Sequence, residues 1–227
     1  MLDVGDVAGH GASAVALMVE LCHAARAYAL LDLAPAQLTG QLADVLRAGG
    51  HTSLASACTA RLDLPTGRMT WCNAGHPPPV LITAAGDVRF LGDVHGPLLG
   101  AGRGVGGEPY AQSTLTLPIG ATVLLYAAGL VDQPDAPMAQ RLDALAAAAA
   151  TAFGPGAVSP RDGRTRQPSP CDARPGTGDD GAVAAPLPLG AACDALLAEL
   201  GTARAADAGP RVARRDSDSL LLAARLV

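Results

Sequence analysis

Few stretches of this 227-residue chain hold groups that could do chemistry. The first, Val4-Gly-Asp-Val-Ala-Gly-His-Gly11, sets one carboxylate, Asp6, where a strand-like tail runs into a helical segment. Gly9 and Gly11 let the chain turn sharply there without side-chain clashes. Taken alone, the stretch reads as a strand–turn–helix junction whose Asp caps backbone amides. A carboxylate that instead served a hard cation would need further oxygen donors from elsewhere in the chain. The second stretch, Asn73-Ala-Gly-His-Pro-Pro-Pro-Val80, sets Asn73 and His76 on a turn ahead of a strand. A third, Leu124-Leu-Tyr-Ala-Ala-Gly-Leu-Val131, is almost wholly apolar, and a fourth, Asp216-Ser-Asp218, precedes the apolar end of the chain.

The elements that must position these groups can be read from periodicity. Met1 to Val4 suits the tail of a buried strand. From Ala12 to about Leu31, apolar residues recur at helical spacing (Ala14, Leu17, Met18, Leu21, Ala25, Tyr28), which predicts an amphipathic helix. A second helix is expected from Pro35 to Leu46, with Gly49 and Gly50 ending it. Strands follow at Ser56–Asp63, Arg68–Ala74, Val80–Thr83 and Val88–Leu91. Thr114–Leu117 and Thr122–Tyr126, joined through Pro118-Ile-Gly120, read as a hairpin-like pair. Two helices followed by antiparallel strands predict a layered α+β fold, not a doubly wound parallel sheet.

The last third changes character. Pro137 to Ala152 is Ala-rich and helical by composition, although its five-Ala run offers little to pack with. Residues 153–188 are dense in Gly, Pro, Arg, Asp and Ser, and are expected to be a disordered insert. Leu189 to Leu200 reads as a short helix, Ala203 to Arg215 as a polar connection, and Ser219 to Val227 as a buried closing strand. This divides the chain into a main part, 1–152, the insert, and a returning helix and strand of the same domain, 189–227.

Charge and cysteines exclude several functions. All 16 basic residues are Arg, and the net charge of −5 is scattered in both signs. No basic face for nucleic acid and no polybasic membrane anchor stands out. Apolar runs are all interrupted short of membrane-spanning length, and the N-terminus lacks the pattern of a secretory signal. Cys22, Cys58, Cys72, Cys171 and Cys193 form no Cys-x-x-Cys pair, so they read as reduced thiols of a cytoplasmic protein, with Cys58 and Cys72 in the core.

Residues Thr59 to Val80, with their strand–turn–strand and Asn-Ala-Gly-His-Pro-Pro signature, resemble the SpoIIE-type branch of the metal-dependent (PPM) protein phosphatases nearly residue for residue. The Gly5–Gly11 loop, Leu124–Val131 and the Gly96-Pro-Leu-Leu-Gly100 turn fit the same family at the same spacing. The resemblance implies an α/β/β/α sandwich of two antiparallel sheets flanked by helices, here incomplete at the N-terminus. It implies two Mn²⁺ or Mg²⁺ ions that activate a water toward phosphoserine or phosphothreonine on a protein. Asp6 would bridge the ions and the Val7 backbone carbonyl would join it. Gly9, His10, Gly11, Asn73, His76 and Gly129 would shape the site, with Asn73 and His76 fixing a turn rather than binding metal.

Three departures accompany the resemblance. The family's Leu-Leu-Tyr-Thr-Asp-Gly-Leu-Val-Glu carries a metal-binding Asp, where this chain has Ala128 and, further on, Asp132. The family's closing Asp-Asp-x-x-Leu-Leu-x-x-Arg places Ser217 at the ligand position, with Asp218, or alternatively Asp216, as the nearest substitute. Family domains also begin with a further strand pair carrying Gly-Asp-x-Tyr-Asp, so a truncated gene model is the simplest expectation for the start. The resemblance implies a phosphatase acting on a bacterial signalling regulator of the anti-sigma-factor-antagonist type. The alternatives are a pseudophosphatase that binds such a regulator without hydrolysis, or a gene fragment.

Overall fold

The computed structural model describes residues 1–101, 110–131, 136–155, 187–207 and 221–226. Its strands are β1 (Leu2–Val7), β2 (Ala55–Asp63), β3 (Arg68–Ala74), β4 (Val80–Ile82), β5 (Val88–Phe90), β6 (Gln112–Thr116), β7 (Thr122–Tyr126) and β8 (Leu221–Arg225). The helices are α1 (Ala12–Ala29), α2 (Pro35–Ala48), α3 (Met138–Phe153) and α4 (Leu189–Asp207), with a short 3-10 turn at Ala128–Leu130. The strands form two four-stranded antiparallel sheets, β1-β2-β3-β6 and β5-β4-β7-β8.

Side-chain alternation along each strand divides the interior into three apolar layers. Val4, Cys58, Ala60, Met69 and Trp71 of the first sheet meet Leu81, Val123 and Leu125 of the second. The outer face of the first sheet, with Ala55, Ala57 and Ala74, packs on Leu17, Leu21 and Ala25 of α1 and Leu38, Leu42 and Leu46 of α2. The outer face of the second, with Val80, Ile82, Leu124 and Tyr126, packs on Leu145 and Ala149 of α3 and Ala192 and Leu196 of α4. The order of layers is therefore helix, sheet, sheet, helix, as the sequence implied.

The helix predicted over Ala12–Leu31 forms, and all six of its predicted inward residues are buried or half-buried. The Ala run of α3 departs from expectation, because Ala149 is fully buried and Ala152 nearly so. Small side chains let α3 approach α4 closely, where Ala192 and Ala195 are equally small. Phe153, expected to open the insert, is the last residue of α3 and is buried. The rest of that insert lies almost entirely outside the described residues, and so do Asp132, Cys171, Asp216, Ser217 and Asp218. The expected polar connection from Ala203 is helical as far as Asp207, within α4. β8 forms as predicted, but its residues are half-buried because it is an outer strand.

One pairing needs correction. β6 and β7 are not a hairpin: β6 pairs with β3 in the first sheet, while β7 lies between β4 and β8 in the second. Pro118 to Gly120 is instead the crossing between sheets, closed by Ala121 N–H donating to the Pro118 carbonyl at 3.0 Å.

The contact of β1 with β2 is close at Gly5. A β-carbon built there would stand 2.6 Å from the Ser56 carbonyl oxygen, below any real contact. Gly5→Ala is therefore expected to cost about 1–3 kcal/mol by overpacking. Urea unfolding should show a lower midpoint with an unchanged slope; an unmoved midpoint would contradict this packing.

Candidate functional site

The site is built at one end of the gap between the sheets. Along β1, Val4 faces the gap and Val7 faces the helices, so Asp6, two residues after Val4, also faces the gap. Asp6 stands opposite Ser56 in the β1–β2 ladder, and Ser56 shares a face of β2 with the inward Cys58 and Ala60. Beyond Asp6 the chain turns through Gly9 (φ 108°) and Gly11 (φ 86°), in the left-handed region that glycine alone enters freely. The Gly11 carbonyl then accepts the Val15 N–H at 3.1 Å, which starts α1. His10 lies exposed on this loop.

Asn73 and His76 close a turn on each other. The Asn73 Oδ1 accepts the His76 N–H, and the Asn73 Nδ2 donates to the His76 carbonyl, both at 2.8 Å. Gly75, inside the turn, has φ 67°, and a β-carbon there would stand 2.5 Å from Leu98. The Gly96–Gly100 segment packs against this turn: Gly96 N–H donates to the Asn73 carbonyl at 2.6 Å. Leu99 exchanges both backbone hydrogen bonds with Ala55 at the start of β2, at 2.8 and 3.1 Å.

The His76 ring is engaged at both nitrogens. Nε2 lies 2.8 Å from the Tyr126 carbonyl oxygen, and Nδ1 lies 2.8 Å from the Ser56 hydroxyl. A carbonyl only accepts, so Nε2 carries the proton. In the neutral ring Nδ1 is then the acceptor, and the Ser56 hydroxyl donates to it. Burial pushes the imidazole below its ordinary pKa, outweighing the Tyr126 carbonyl and the Asp6 charge that push it up. Metal binding at a His76 ring nitrogen would have to break one of these bonds. Ser56 carries no motif and sequence reasoning missed it; its hydroxyl at the inward end of β2 was the only signal.

Ala128 opens the 3-10 turn that follows β7, two residues after Tyr126, and offers only a methyl group. Gly129 lies within the same turn. Cys58 and Cys72 are buried; burial pushes the Cys58 thiol up to about 12 and raises that of Cys72, so neither is a nucleophile at neutral pH. Among the described residues, no group of three or more His, Cys, Asp or Glu is placed to share a cation. The described donors at the cleft are the Asp6 carboxylate and backbone carbonyls such as that of Val7. That set does not fit a two-cation centre, which needs several anionic oxygens around each ion pair.

Two antiparallel sheets between helix pairs, with a strand–turn–helix acid at the end of the gap, define a PPM-type phosphatase scaffold. The sequence profile of the family described as Stage II sporulation protein E (SpoIIE) matches residues 1–161, so the chain belongs to that family. Among solved structures, it is similar to the RsbU and RsbW domains of Rv1364c from Mycobacterium tuberculosis, at 29% identity and a TM-score of 0.59. That match covers 66% of this chain and 42% of the other, so this chain spans less than half the length of its relative. The SiaA-PP2C domain of Pseudomonas aeruginosa shares the fold at 18% identity and a TM-score of 0.51, over 63% of this chain and 59% of that one. The PP2C phosphatase domain of SpoIIE from Bacillus subtilis, solved with a fragment of its regulatory domain, does so at 12% identity and 0.51, over 62% and 41%. No described helix is long and apolar enough to cross a membrane.

The neutral, buried state of His76 gives the fold a pH dependence. Its folded pKa lies below the unfolded 6.5, so the unfolded chain binds more protons between the two values. This contribution to stability is complete above about pH 6.5 and is lost as the pH falls below it. The urea midpoint should drop as the pH falls below about 6.5, and His76→Gln should show a shallower drop. Equal slopes for the two proteins would rule out His76 as the titrating group.

Proposed function

We propose that this chain binds a phosphorylated bacterial signalling regulator, of the anti-sigma-factor-antagonist type, and does so on the SpoIIE-type scaffold without turning it over. Membership of the SpoIIE family and the likeness to a protein with RsbU and RsbW domains support the partner class. The observation that carries the second half is Ala128. At the position where the family's sequence pattern has a metal-binding Asp, at the start of the turn after β7, this chain has a methyl group. This is the pseudophosphatase reading, and it places the protein in the cytoplasm with its partner.

The hydrolase reading shares the scaffold and the partner. It would have Mn²⁺ or Mg²⁺ held by Asp6 and the Val7 carbonyl, with Asp218 or Asp216 as a further ligand, and would supply a metal-activated water for the phosphoryl group. Family membership supports that reaction class. Against it stands the missing carboxylate at position 128, since losing a direct ligand weakens a site beyond the roughly 10–100-fold of an outer-shell change.

The purified chain is expected to bind Mn²⁺ weakly and to release no phosphate from a phosphoserine peptide with Mn²⁺ present. Ala128→Asp should raise Mn²⁺ affinity by more than about 10-fold in calorimetric titration, and Asp6→Asn should abolish that gain. Turnover by the unaltered chain that Asp6→Asn eliminates would establish the hydrolase instead.

A further inference from the structure

We infer that Ser56 is a positioning residue of this cleft. Through His76 it sets the distance between the strand pair that carries Asp6 and the turn that carries Ala128. The inference rests on reading the cleft as a phosphatase-type site, and it concerns a residue that no motif of the chain includes.

The path is short. Asp6 and Ser56 are ladder partners on the inward face of β1 and β2, in the first sheet. The Ser56 hydroxyl meets His76 Nδ1 at 2.8 Å, and His76 Nε2 meets the Tyr126 carbonyl at 2.8 Å. Tyr126 ends β7 in the second sheet, and the 3-10 turn begins two residues later. Leu130 N–H closes that turn on the Ala127 carbonyl at 2.9 Å. Two hydrogen bonds thus join the Asp6 strand pair to the end of β7 across the gap between sheets, and two residues of backbone carry the link on to position 128.

Each link is committed in one direction. The Tyr126 carbonyl takes the only ring proton of neutral His76, so Nδ1 can be satisfied only by a donor. Ser56 is the donor the structure supplies. His76 is 5% exposed, which leaves little room for water to take over that role. Removing the hydroxyl therefore leaves a buried acceptor without a partner and frees the ring to shift. The backbone of the His76 turn does not shift with it, because Asn73 holds it separately. The consequence is local to the ring, the Tyr126 carbonyl and the turn beyond it. Threonine keeps a hydroxyl on the same carbon and should keep the link.

The test compares Ser56→Ala with Ser56→Thr, each made alone and together with Ala128→Asp. In the single variants, amide hydrogen exchange is followed by NMR at Leu130 and Val131. Ser56→Ala should speed exchange there by about 10-fold or more relative to the core amides of β3, while Ser56→Thr should stay near the parent. In the Ala128→Asp background, Mn²⁺ titration should show Ser56→Ala about 10-fold weaker and Ser56→Thr within a fewfold. Unchanged exchange in Ser56→Ala, or the same change in both variants, overturns the positioning role. An Ala128→Asp protein that takes up no Mn²⁺ contradicts the metal reading of Asp6 instead, and the exchange rates still decide the role of Ser56. If Ser56→Ala fails to fold, Ser56→Cys, a weak donor of similar size, replaces it with the same expected order.

Discussion

The His76 imidazole joins the two sheets through hydrogen bonds of 2.8 Å at each ring nitrogen, and the cleft takes its shape from that link. Apolar packing, here of Trp71 and Met69 among smaller Leu, Val and Ala side chains, is non-directional and fixes the relative placement of the sheets less sharply. A hydrogen bond with a fixed donor and acceptor is directional. It also carries a risk, because a buried polar group stripped of its partner costs about 1–3 kcal/mol. The fold meets that risk by satisfying every polar atom of the His76 side chain and by clamping its backbone onto Asn73.

From this link the rest follows outward. The clamp needs a left-handed residue at position 75, the close approach of Leu98 excludes a side chain there, and the Gly96–Gly100 segment seals the turn from outside. That segment in turn pairs through Leu99 with the start of β2, where Ser56 sits. The motif blocks in the sequence are thus mutual supports around one imidazole. None of these hydrogen bonds involves the side chain at position 128.

Much of the architecture was legible because its signals are local. The α1 spacing named six residues that are all buried or half-buried, and the Asn73–Val80 signature marked a turn that Asn73 and His76 close. The separation of β6 from β7 was missed because Pro118-Ile-Gly120 supplies a good turn between two short strands. The burial pattern distinguishes them: Gln112–Thr116 alternates, as on an outer strand, whereas Thr122–Tyr126 is buried throughout, as in the middle of a covered sheet. The packing of the Ala run in α3 depended on a partner helix about 40 residues on in the sequence, which periodicity cannot show. Ser56 was invisible for the same reason, since its partner lies 20 residues away and a serine in a strand carries no pattern of its own.

The link between the sheets turns on one ring in one protonation state. Long-range proton–nitrogen NMR of the imidazole side chains reads it directly. His76 should show a protonated Nε2 and a bare, hydrogen-bonded Nδ1 at neutral pH, and should hold that form below the ordinary imidazole pKa of 6.5. A His76 ring protonated at Nδ1, or one that takes up its second proton at or above the ordinary imidazole pKa, would contradict it.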